Sequence, residues 1–95
     1  MMTQEDQEKL FAQVRERWPD WPIVQASGYV HGVNDAKRGM DKPQAEYQRA
    51  YKRGTHDYAN GYMIGFIGEY GPDAREMEWA QDMLGICPGW SSETS

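Results

Sequence analysis

Leu10, Phe11, Val14 and Trp18 stand at i, i+1, i+4 and i+8, one apolar stripe on a helix. Thr3 ahead of them offers a hydroxyl to free backbone N–H groups, and Glu5 and Asp6 suit the positive end of the helix dipole. Pro19 closes the segment and Pro-Asp-Trp-Pro makes a tight corner, so a first helix is predicted over about 3–18. A second is predicted over 22–38, with Pro22 in its first turn and Gly39 as a left-handed terminator. Asp41 is the expected N-cap of a third helix, with Pro43 in the first turn and Gln44 three residues after the cap. Tyr47, Tyr51, Tyr58 and Tyr62 then share one helical face, which carries the third helix over 42–68. Gly54, Gly61, Gly65 and Gly68 each cost such a helix about 1 kcal/mol relative to Ala, and a bend is expected near Gly61 or Gly68. The fourth helix is predicted over 72–85, between Gly71-Pro72 and Gly85, with Met77, Ala80, Met83 and Leu84 inward. Residues 86–95 read as a tail anchored by Ile86 and Trp90. The pattern is that of a single all-α domain, 1–95, with three to four short helices.

One frame is written twice. Tyr29, Gly32, Asp35 and Gly39 recur 22 residues later as Tyr51, Gly54, Asp57 and Gly61, each set followed by or including Ala/Tyr after the Asp. On a helix, Tyr29, Gly32, Asp35, Ala36 and Gly39 fall within an arc of about 120°. On a strand they would split between both faces. The missing side chains at Gly28, Gly32 and Gly54 form notches into which a backbone or an aromatic ring can fit. The expected architecture is a Gly/Tyr-packed αα-hairpin with internal pseudo-twofold symmetry.

Composition changes this picture in one respect. Leu, Ile, Val and Phe number only twelve in 95 residues, so six Tyr, four Trp and six Met must supply the core. Charge is uneven. The chain carries −5 overall, with −2 over 1–22, +2 over 23–57 and −5 over 58–95. Cys87 is the sole cysteine, which excludes an internal disulfide and suits a reducing compartment. The acidic start is unlike a secretory signal. The longest apolar stretch, residues 61–68, is too short for a bilayer, so a cytoplasmic chain without membrane contact is expected.

No phosphate-cradling loop, nucleophile elbow or zincin helix occurs, and enzyme function is not expected. His31 with Asp35, and His56 with Asp57, are the only pairs that could build a two-helix metal site. Neither histidine sits in a ligand motif, so no metal or cofactor is expected. Asp35 and Asp57 would also be the carboxylates of an acid/base pair, but no third group converges on them. Two charged surfaces remain. Glu69, Asp73, Glu76, Glu78 and Asp82 would meet a basic groove on a partner protein. Arg49, Lys52 and Arg53, interleaved with Tyr47, would suit single-stranded nucleic acid.

The frame A-x-G-Y-x-x-G-x-x-D-A-x-x-G, a short Pro-containing loop and Y-x-x-A-Y-x-x-G resemble the helical hairpin of the ribosome modulation factor family over residues 26–62. That resemblance implies a ribosome- or RNA-binding modulator. The chain departs from the family in being acidic and in carrying Met-Asp-Lys-Pro-Gln where the family has Cys-Pro-Tyr. In size, acidity and richness in Trp, Tyr and Gly it also resembles small accessory proteins of tailed phages, including anti-CRISPR and other anti-defence factors. The leading expectation is a non-enzymatic factor that binds a host protein, of the kind that inhibits nucleic-acid-handling or defence proteins. The alternatives are the RNA binder and an oligomer that sequesters a small ligand between its subunits.

Overall fold

A computed structural model describes residues 2–86. The order is α1 (Gln4–Arg17), α2 (Ile23–Lys37), α3 (Pro43–Lys52), α4 (His56–Tyr70), a 3-10 turn (Pro72–Glu76) and α5 (Glu78–Ile86). The fold is all-α, with no strand among the described residues. Ile86, expected in the tail, is the last residue of α5, and residues 87–95, with Cys87 and Trp90, lie outside the described residues.

α1 begins as its sequence predicts. Thr3 Oγ1 accepts the Asp6 N–H at 3.1 Å and the Asp6 carboxylate accepts the Thr3 N–H at 3.4 Å, a reciprocal cap. The corner after it is fastened by aromatics. Trp18 and Trp21 stack at 4.5 Å, and Tyr29 of α2 packs against both rings.

The helix expected over 42–68 is two helices, and the break falls at Gly54 rather than at Gly61 or Gly68. Gly54 takes φ +83°. Its N–H donates to Tyr51 O at 3.1 Å and the Thr55 N–H donates to Ala50 O at 3.1 Å. The same pair of bonds ends α2 around Gly39, which has φ +80°. Both ends spell Lys-Arg-Gly, at 37–39 and 52–54. This is a Schellman stop, which the left-handed glycine makes possible. Asp41 does not cap α3. The cap position is Lys42, with no side-chain bond, and Asp41 is exposed.

The fourth predicted helix also divides, at Met77, whose backbone is extended. On a continuous helix Ala74 would point about 140–180° away from Trp79 and Met83. All three are buried. The break resets the register so that both pieces face inward.

The largest interface pairs α2 with α4. These helices run parallel, joined through α3, rather than as the adjacent arms of a hairpin. A Cβ placed on Gly28 would lie 2.2 Å from Tyr58 O, and one on Gly32 2.1 Å from Tyr62 O. Reciprocally, a Cβ on Gly61 would lie 2.0 Å from Gln25 O, and one on Gly65 2.3 Å from Tyr29 O. Each contact maps onto its counterpart by a shift of 33 residues. The sequence carries that shift as Ala26-Ser27-Gly28-Tyr29-x-x-Gly32 and Ala59-Asn60-Gly61-Tyr62-x-x-Gly65. The internal symmetry is therefore real, with its axis along the parallel pair. Its repeat is not the 22-residue one, which matches the packing glycines Gly32 and Gly61 to the stop glycines Gly54 and Gly39. Backbones this close place Cα–H groups on facing carbonyls, each contact worth about 0.5–1 kcal/mol.

α1 packs on α2, while α3, the 3-10 turn and α5 complete the core on the α4 side. Tyr47, Tyr62, Met63, Phe66, Trp79 and Met83 fill it. Aromatic rings and Met thus do the work that Leu and Ile do in most small domains.

Candidate functional site

The parallel pair gives the molecule two poles. At one lie the starts of α2 and α4 and the end of α3. At the other lie the ends of α2 and α4, with Lys37 and Arg38 at the α2 end, the 3-10 turn and the start of α5. The dipoles of parallel helices add, so the first pole is the positive one.

At the negative pole, Glu69, Asp73, Glu76, Glu78 and Asp82 are all exposed. The segment that presents them is held by burial of Ala74, Trp79, Ala80 and Met83 on its inner side. Trp79 packs edge-on against Phe66 at 4.9 Å and Tyr70 at 5.3 Å. Glu69 is paired with Lys37 of α2 at 3.0 Å. No described basic side chain pairs with Asp73, Glu76, Glu78 or Asp82. Residues 69–82 carry net −4.

At the positive pole, Arg49 pairs with Glu46 at 3.0 Å, and Lys52 and Arg53 are exposed without an ion pair among the described residues. Tyr47, expected to stack on bases beside them, is fully buried in the core. This corrects the nucleic-acid set: its ring cannot reach a ligand, because the inner face of α3 must cover α4. Tyr51 is half-buried and stacks on His56 at 4.1 Å. A groove of about 270 Å³ runs between α2 and the α3–α4 turn, lined by Val24, Glu46, Arg49, Ala50, Arg53, Thr55 and Tyr58. It continues into a second hollow through Pro22, Val24 and Thr55 to His56 and Asp57. Sequence reasoning missed Ile23 and Val24. Their signal is an apolar pair directly after Pro22, at the start of a helix whose inward face is set by Ala26, Val30 and Val33.

Between the poles, two hydroxyls of α4 tie to α2. Tyr62 Oη donates to Asp35 Oδ2 at 2.6 Å, and Asp35 Oδ1 accepts from Arg38 Nε at 3.0 Å. One turn earlier, Tyr58 Oη lies 2.7 Å from His31 Nδ1. Burial, then the Glu46 and Asp35 carboxylates, push the Tyr58 phenol up to about 12. Burial, then the bond to Asp35, raise the Tyr62 phenol further above its ordinary value. The repeated Asp residues part company here: Asp35 is a structural acceptor, whereas Asp57 is exposed in the first turn of α4. His31 and His56 turn to different tyrosines. Among the described residues no three His, Cys, Asp or Glu side chains gather where a metal ion would sit.

No helix among the described residues is long and apolar enough to cross a membrane. No protein-family model, curated protein or solved structure matches the chain.

Proposed function

We propose that this chain is a non-enzymatic protein-binding factor whose acidic pole seats on a basic, nucleic-acid-handling surface of another protein, in the manner of a phage-encoded inhibitor. One observation carries the reading. Asp73, Glu76, Glu78 and Asp82 are exposed, face no described counter-charge, and sit on a segment anchored by Trp79 and Met83. Burial of Ala74, Trp79, Ala80 and Met83 holds the backbone that presents these charges, and their field steers a basic partner to them. The RNA-binding alternative keeps Arg49, Lys52 and Arg53 but has lost Tyr47 as a stacking platform.

The test is capture from a bacterial lysate by wild type and by an E76K/E78K/D82K variant, with captured proteins identified by mass spectrometry. The reading expects basic nucleic-acid-binding proteins on the wild type, released by salt and absent from the variant. A folded variant that retains the same proteins refutes the assignment of the acidic pole.

A further inference from the structure

Ile23, Val24 and Tyr70 are the exposed large hydrophobic side chains among the described residues, at 61, 48 and 43 % exposure. They are not scattered. Ile23 and Val24 stand at the positive pole, where Val24 lines the groove beside Arg49 and Arg53. Tyr70 stands at the negative pole, at the end of α4, adjoining Glu69 and Asp73 in sequence. Each pole therefore sets an apolar contact beside charge: Arg49, Lys52 and Arg53 outnumber Glu46 and Asp57 at the first, and Glu69, Asp73, Glu76, Glu78 and Asp82 outnumber Lys37 and Arg38 at the second. Fifteen helical steps separate Thr55 from Tyr70, about 22 Å. The two surfaces cannot meet within one chain.

We infer that the groove between α2 and the α3–α4 turn is a docking site for a second copy of this chain, which inserts its Tyr70 end so that Glu76 and Glu78 face Arg49 and Arg53. Charge complementarity argues for this occupant, since both halves of the match are present in one molecule. The groove also holds two acids, Glu46 and Asp57. Glu46 already neutralises Arg49 in part. The attraction is thus moderate, and the contact forms at high local concentration rather than permanently. Because the two surfaces differ, the contact is head-to-tail and builds chains or rings rather than a closed twofold dimer. It uses the acidic pole of the preceding reading, so assembly competes with partner capture. It does not depend on that reading, because Arg49 and Arg53 lie outside the acidic pole.

Sedimentation velocity over a dilution series of the full chain tests this. The weight-average mass should rise with concentration at low salt and fall back to the monomer near 1 M salt, where screening extends to about 3 Å. R49E/R53E alone and E76K/E78K alone should each weaken self-association by about tenfold or more. An equimolar mixture of these two variants should associate again, because every contact between unlike variants joins opposite charges. V24S, an exposed substitution that leaves the core intact, should weaken assembly without changing its salt dependence. A wild-type chain that stays monomeric throughout, R49E/R53E assembling like wild type, or a mixture that remains monomeric overturns the proposal. If the acidic pole binds no foreign protein, E76K/E78K loses nothing in lysate capture, yet the mixing experiment keeps its outcome.

Discussion

Gly61→Ala is the sharpest test of how this fold is held. A Cβ on Gly61 would lie 2.0 Å from the backbone oxygen of Gln25, 2.9 Å from its carbonyl carbon and 3.0 Å from the Tyr29 nitrogen. An ordinary contact lies at 3.4–4 Å, and the obstacle is backbone in the first turns of α2, not a side chain that can swing aside. α2 and α4 must therefore separate by about 1 Å over this stretch, and gaps of 0.5–1 Å forfeit about a quarter to a half of each dispersion contact. Overpacking of this kind costs about 3 kcal/mol. Helix propensity acts the other way, since Ala is better than Gly by about 1 kcal/mol. The steric term wins, leaving a net loss of about 2 kcal/mol, a large share of the roughly 5–14 kcal/mol that a chain of this length has. Urea unfolding followed by circular dichroism should show the midpoint falling by about 1–2 M with an unchanged slope. Gly68→Ala is the internal control. It lies in the same helix, exposed, and a Cβ there meets nothing within 4 Å. It should stabilise by about 0.4–1 kcal/mol. If Gly61→Ala is as stable as Gly68→Ala, the parallel contact of α2 and α4 is refuted.

Three further outcomes follow from the same geometry. Tyr62→Phe removes the 2.6 Å bond to the Asp35 carboxylate and should cost about 1–2 kcal/mol, because Arg38 still serves the carboxylate; no change in the urea midpoint would mean that the bond does not hold α2 to α4. Gly54→Ala forces a Cβ into φ +83° and should cost about 1–2 kcal/mol, whereas a neutral result would mean α3 and α4 do not stop and restart there. Alkali should unfold the protein early. Tyr58 has a folded-state value near 12 against an ordinary 10, and Tyr62 shifts in the same direction. Above pH 10 the unfolded chain releases phenol protons that the folded chain retains, so stability falls as pH rises through the window from 10 to about 12 and is unaffected by these groups below it. Tyr58 and Tyr62 should form phenolate late in a spectrophotometric titration; Y58F and Y62F variants whose titration curves lose only ionisation near pH 10 would contradict the burial.

Much of this was legible along the chain because the deciding interactions are local. The α1 cap needs only Thr3 and Asp6, three residues apart, and the end of α2 needs only Gly39 after Lys37-Arg38. The all-α class follows from spacing, since a face that places Tyr29, Gly32 and Ala36 together exists only on a helix. Lys-Arg-Gly at 52–54 carried the same stop signal as at 37–39. The tyrosine stripe running across it suggested one long helix, because face periodicity does not register a break that keeps similar residues on both sides.

What the sequence by itself determined, then, is where the chain turns helical and that its glycines cluster on helix faces. Only the tertiary structure decided which glycine is a hinge and which is a contact. A bare Cα serves equally for a left-handed turn, as at Gly54, and for a backbone pressed against its neighbour, as at Gly61, and the two uses are identical in one dimension. The choice rests on where Tyr58 and Gln25 carbonyls arrive from distant segments. The same arrival buried Tyr47, left Val24 outside, and put the exposed acids of residues 73–82 at the far end of α4 from Arg53.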